Sequence, residues 1–197
     1  MAIELKNIRK SFDDPPQQVL QGVSFTFHEG ITCLMGASGI GKTTLINIVA
    51  GLVKPDSGEI IGMEGKKISM VFQEDRLLEW ETTLTNVLLV KNDKPLATKL
   101  LTQAGLGDSL TKKTSELSGG MKRRVCICRA LIADYDVLIL DEPFKGLDAE
   151  LKPVIMQMVK DYSHGIVICI THDPTEEEFL RGDSRRAGLF LASAFTK

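Results

Sequence analysis

The sequence has no long hydrophobic run. The longest are about five residues, as at 166–170, whereas a membrane span needs roughly 18. Its opening residues, Met1, Ala2, Ile3, Glu4, Leu5 and Lys6, carry no basic flank, apolar stretch or cleavage site, so no secretory signal is expected. Cysteine is scarce: four in 197 residues cannot staple a chain of this length. Cys33 and Cys169 fall in strand-like apolar runs, and Cys126 and Cys128 in a helix-like stretch, the pattern of buried thiols in a reducing compartment. Their Cys-x-Cys spacing fits neither a zinc knuckle nor a redox pair. Neither sign of charge dominates, with 24 Lys and Arg against 26 Asp and Glu, so nothing draws the whole chain to nucleic acid or anionic lipid. Repeats, low-complexity tracts and long linkers are missing too. At 43% apolar and 25% charged, the composition excludes collagen-like and disordered chains and predicts one domain with a good-sized core.

Short β-branched runs alternate with helical patterns, which predicts an α/β fold with a mostly parallel sheet. Strands are expected at residues 3–6, 23–27, 31–35, 68–72, 137–140 and 166–170, and helices at about 41–50 and 119–132. Several strands are almost wholly apolar, as required where helices cover both sheet faces. Residues 74–115 differ: leucines and valines recur at helical spacing with no convincing strand, so this stretch is expected to be a helical insert.

Gly36, Ala37, Ser38, Gly39, Ile40, Gly41, Lys42 and Thr43, followed by Thr44, lie between a predicted strand and a predicted helix. This is a P-loop arrangement. Its glycines let backbone N–H groups converge on phosphates, and the following helix N-terminus adds a positive dipole end. Lys42 supplies charge for the β- and γ-phosphates, and the Thr43 hydroxyl can ligate Mg²⁺. A second strand, at 137–140, delivers Asp141 and Glu142 at its carboxyl end, where ligands bind in open α/β sheets. Asp141 suits the Mg²⁺ shell, and Glu142 suits polarisation of an attacking water.

Leu117, Ser118, Gly119 and Gly120, followed by Met121, Lys122, Arg123 and Arg124, resemble the signature motif of ABC-type ATPase domains. Together with the P-loop and the acidic strand, in that order, the resemblance spans nearly the whole chain. It implies a P-loop NTPase (RecA-like) core with a mostly parallel sheet, a small antiparallel N-terminal β portion and an inserted α-helical subdomain. The implied division is a single domain over 1–197, with core 1–73 and 116–197 and subdomain about 74–115. ATP and Mg²⁺ are the implied ligands.

Other positions match the family in order. Gln73 is similar to the Q-loop glutamine that senses Mg²⁺ and the attacking water, and His172 to the switch histidine at the γ-phosphate. Asp148 falls in a D-loop-like Gly146-Leu147-Asp148. Phe12 stands where the family places an aromatic on adenine. Taken alone, Gln73 would be a polar strand-end residue, His172 a cap and Phe12 a core aromatic. His28 and His164 match no motif.

The resemblance further implies a head-to-tail dimer with ATP between two copies, Lys42 of one facing Ser118, Gly119 and Gly120 of the other. Residues 71–80, with Pro143, Phe144 and Lys145, resemble ATP-binding subunits of nitrate, sulfonate and taurine importers. A membrane permease would then dock near Gln73 to Trp80, with an extracytoplasmic solute-binding protein in the complex and this chain peripheral on the cytoplasmic membrane face. Leu77, Leu78 and Trp80 either line that docking groove or pack the insert's core. An exporter, a division or lipoprotein-release ATPase, or a soluble ATPase on nucleic acid or ribosomes are the alternatives; nucleic acid is not an expected partner. The tail after His172 departs from the family's usual course into a regulatory domain, although residues 187–191 could add an edge strand.

Overall fold

The computed structural model describes residues 1–13, 16–181 and 188–191. In chain order the elements are β1 (Ala2–Asp13), β2 (Pro16–His28), β3 (Gly30–Met35), α1 (Lys42–Val49), β4 (Ser57–Ile61), β5 (Ile68–Val71), α2 (Thr83–Leu88), α3 (Lys94–Gln103), α4 (Gly119–Ile132), β6 (Val137–Asp141), α5 (Lys152–Tyr162), β7 (Ile166–Ile170), α6 (Pro174–Arg181) and β8 (Gly188–Leu191). A parallel sheet runs β5-β6-β7-β3-β8, and a separate antiparallel sheet runs β2-β1-β4. The expected α/β core and antiparallel N-terminal portion are both present.

The apolar strands explain the layering. Every residue of β6 and β7 is buried. Successive side chains point to opposite faces. Leu138, Leu140, Val167 and Cys169 join a core with α3, α4 and α5. Val137, Ile139, Ile166, Ile168 and Ile170 join a second core with β1, β2 and α1. Near-continuous apolar strands are what a sheet covered on both faces demands.

Between β5 and α4 the chain forms α2, α3 and two 3₁₀ turns, with no named strand, as expected of the helical stretch. Several elements differ from the sequence expectation. β1 and β2, at 12 and 13 residues, are more than twice as long as the predicted runs, because β-bulges break their apolar alternation. β4 was not anticipated: its sequence is half polar and none of its residues is buried. Nor were α5 and α6, the first carrying Pro153 in its opening turn and the second opening on Pro174 with three consecutive glutamates after it. β8 extends the sheet beside β3, so residues 188–191 do form the edge strand, and residue 187 lies outside the described chain.

All four cysteines are free and buried. Burial pushes the Cys126 and Cys128 thiols up to about 12, with the Asp75 carboxylate adding to the effect at Cys126. Thiolate is the reactive form. A disulfide reagent at pH 8 should therefore leave the folded protein unmodified and titrate all four thiols in denaturant; rapid reaction of a folded thiol would contradict this packing.

Candidate nucleotide and metal site

Because β3, β5, β6 and β7 are parallel, their carboxyl ends lie on one edge of the sheet. The loops leaving those ends carry Gly36 to Gly41, Gln73, Glu142 and His172. A cavity of about 330 Å³ opens there, lined by Phe12, Gln17, Val19, Ser38, Gly39, Gly41, Lys42, Thr43, Thr44, Gln73, Glu142, Ile170 and His172. Phe12 stands at its margin with 42% of its surface exposed, so it is not a core aromatic.

Gly41 caps α1 at φ 102°, a conformation that disfavours side chains. A Cβ there would lie 2.8 Å from Val19 Cγ1, so only glycine lets β2 press against the loop. Lys42 Nζ donates to the carbonyls of Gly36 and Ala37, both at 2.8 Å. Burial lowers its pKa, while Glu142 and Asp141 pull the other way. The Thr43 hydroxyl donates to Asp141 Oδ2 at 3.2 Å. Burial raises the Asp141 pKa, opposed by that hydrogen bond.

The Glu142 carboxylate is bracketed by two side chains. His172 Nε2 lies 2.6 Å from Oε1, and Lys145 Nζ donates to Oε2 at 3.0 Å. Burial disfavours its ionisation, but the hydrogen bonds from Lys145 and His172 outweigh burial and hold its pKa below the ordinary value. The other His172 nitrogen, Nδ1, sits 3.0 Å from the Gly36 carbonyl, joining the β7 end to the P-loop.

A hard cation fits this donor set. Thr43, Gln73 and Asp141 also share a second cavity of about 350 Å³ adjoining the first. All three offer oxygen, and no group of three His, Cys, Asp or Glu able to hold a metal occurs among the described residues. One carboxylate beside a hydroxyl and a phosphate cradle suits Mg²⁺, which keeps waters and shares its shell with phosphates.

Not all the expected residues converge. Ser118, Gly119, Gly120 and Asp148 do not line the P-loop cavity. Ser118 instead caps α4, its hydroxyl accepting from the Met121 N–H at 3.3 Å. Gly120 packs so closely on the next loop that a Cβ would fall 2.9 Å from the Gly146 carbonyl oxygen. Of the three apolar residues after Gln73, Leu77 packs against the core, while Trp80 is 68% exposed. Two residues at the site carry no individual role in the sequence: Lys145 and Arg123, each of which stands there only within a family motif.

A family model described as ABC transporter matches residues 20–145. The bicarbonate transport ATP-binding protein CmpD of Synechocystis sp. is 40% identical over 201 residues, covering 90% of this chain and 71% of that protein. The taurine import ATP-binding protein TauB of Ruegeria pomeroyi is 37% identical over 204 residues, covering 92% and 75%. A solved dimer of the ATP-binding cassette MJ0796, in a post-hydrolysis state with ADP and Pi, superposes with a TM-score of 0.79 at 28% identity, covering 91% of each chain.

Proposed function

The chain belongs to the ABC transporter family, and we propose that it is the ATP-binding and hydrolysing subunit of an importer for a small anionic or nutrient solute. The observation that carries this reading is the gathering of Lys42, Thr43, Gln73, Glu142 and His172 around one cavity while the signature residues face elsewhere. On this reading the whole chain is one ATPase domain, with a core of 1–73 and 116–197 and a helical subdomain at about 74–115.

The residues divide the chemistry. Phe12 stacks on the adenine, and the N–H groups of residues 36–44 with Lys42 hold the phosphates. Thr43, Asp141 and Gln73 would hold Mg²⁺, which when bound neutralises charge on the transferring phosphate oxygens. Glu142, kept ionised by its partners, accepts a proton from the attacking water. His172 orients Glu142 and reaches toward the γ-phosphate. Ser118, Gly119 and Gly120 open α4, and a helix N-terminus is an anion site. Because they lie outside their own chain's cavity, their phosphate belongs to a second copy, in a head-to-tail dimer; the similar cassette MJ0796 is itself dimeric with ADP and Pi bound. Asp148, two residues past the Gly146 on which Gly120 packs, is assigned to the same boundary.

No described helix is long and apolar enough to cross a membrane. The import-system relatives support a membrane permease as the partner that holds the translocation path. Its docking surface is the stretch from Gln73 to Trp80 on the cytoplasmic side, where Trp80 is exposed beside Arg76 and Glu79. An extracytoplasmic solute-binding protein would complete the complex. Purification from detergent-solubilised membranes tests the assembly: a multi-span permease and a binding protein should co-purify, and recovery with ribosomal or DNA-repair proteins alone would overturn it. Trp80→Ala should weaken permease association by about 30-fold, as for an aromatic hot spot, with ATP affinity unchanged. Unaltered association would remove Trp80 from the docking surface.

A further inference from the structure

Arg123 lies in the second turn of α4 and is only 5% exposed. A buried guanidinium has five N–H donors to satisfy, and leaving them or the charge unpaired is costly. Here all the partners lie on two loops. Nε donates to the Pro143 carbonyl at 3.2 Å, and Nη2 donates to the carbonyls of Asp141 at 2.5 Å and Glu142 at 2.8 Å. Nη1 donates to the Phe72 carbonyl, to the Gln73 carbonyl at 3.4 Å and to Asp75 Oδ1 at 3.4 Å. One side chain from the signature helix thus grips the backbone beyond β5 and the backbone beyond β6.

Both gripped segments need holding. Glu142 has φ 46°, a left-handed conformation that a non-glycine residue keeps only when its surroundings impose it. Arg123 binds the carbonyls before, at and after that residue. The segment after β5 is mostly exposed, and its further ties to α4 are Arg129 Nη2 to the Arg76 carbonyl at 2.6 Å, Lys122 Nζ to Glu79 Oε1 at 3.0 Å and Cys126 Sγ to Asp75 Oδ1 at 3.7 Å.

We propose that Arg123 is a positioning residue for hydrolysis, holding the Glu142 backbone in its left-handed conformation and fastening it to the Gln73 segment. Displacement of that segment then shifts the Glu142 carboxylate. This rests on the roles given above to Gln73 and Glu142.

The test uses the full chain and Mg·ATP turnover, with thermal melts to verify folding. Arg123→Gln should lower kcat at least tenfold and leave KM within threefold. Combined with Gln73→Ala, it should be no more than about twofold slower than the slower single variant, because both act through one connection. A merely structural arginine would give effects that multiply. Asp75→Asn removes only the exposed end of the grip; it should cost two- to fivefold in kcat, again without multiplying with Gln73→Ala. Wild-type kcat in folded Arg123→Gln, or multiplying effects, would overturn the inference. If Arg123→Gln does not fold, an unchanged kcat in Asp75→Asn overturns it. Turnover that survives in Glu142→Gln would instead bring down the reading of the site itself.

Discussion

Glu142→Gln should abolish steady-state phosphate release, lowering kcat by about 10²- to 10⁴-fold, the range for loss of a positioned general base. ATP should still bind, because the amide keeps the shape of the carboxylate and Lys42, Thr43 and the P-loop glycines are untouched. Rapid-mixing phosphate release, paired with equilibrium binding of a fluorescent ATP analogue, separates the two effects. Loss of binding and turnover together would mean that Glu142 holds the loops rather than the proton. That distinction matters because its carboxylate is bonded to both His172 and Lys145.

The second large effect is expected at Gly120. Gly120→Asp would put a Cβ 2.9 Å from the Gly146 carbonyl oxygen and, in the proposed head-to-tail dimer, a negative charge beside the partner copy's γ-phosphate. Turnover should fall about 100-fold or more, as when a preorganised anion-binding donor is removed. ATP affinity of the isolated chain should stay within about threefold, since Gly120 is not part of its own P-loop cavity. Mixing this variant with Lys42→Ala should restore activity, because the mixed dimer contains one site with an intact P-loop and an intact signature. A mixture no more active than its components would place the signature's role within a single chain.

The legible parts of this protein are those where a backbone requirement is written into a short run. The P-loop needs glycine at a positive φ beside β2, as at Gly41, and β6 must be wholly apolar to pass between two layers and deliver Asp141. The less legible parts owe their form to distant partners. β4 is a polar run that becomes a strand only by pairing with β1, and α5 is hidden by a proline in its first turn. Arg123 shows the same limit at the site. A Lys-Arg-Arg run on a helix reads as solvated, yet α4 is buried over most of its circumference and turns Arg123 onto backbone carbonyls from two separate loops. No spacing rule reports those acceptors, because they are main-chain atoms of residues 72–73 and 141–143. The exposure of Trp80 was open for a similar reason: Leu77, three residues earlier, packs inward, and only the turn between them decides which faces out.

The central claim is that each site is completed by a second copy, and light scattering on Glu142→Gln tests it most directly. At saturating Mg·ATP, with hydrolysis blocked, the measured mass should rise to twice the 21.7 kDa of the chain and fall back on dilution into ADP. A variant that binds ATP at full occupancy yet stays at the single-chain mass across the micromolar range would contradict the composite site.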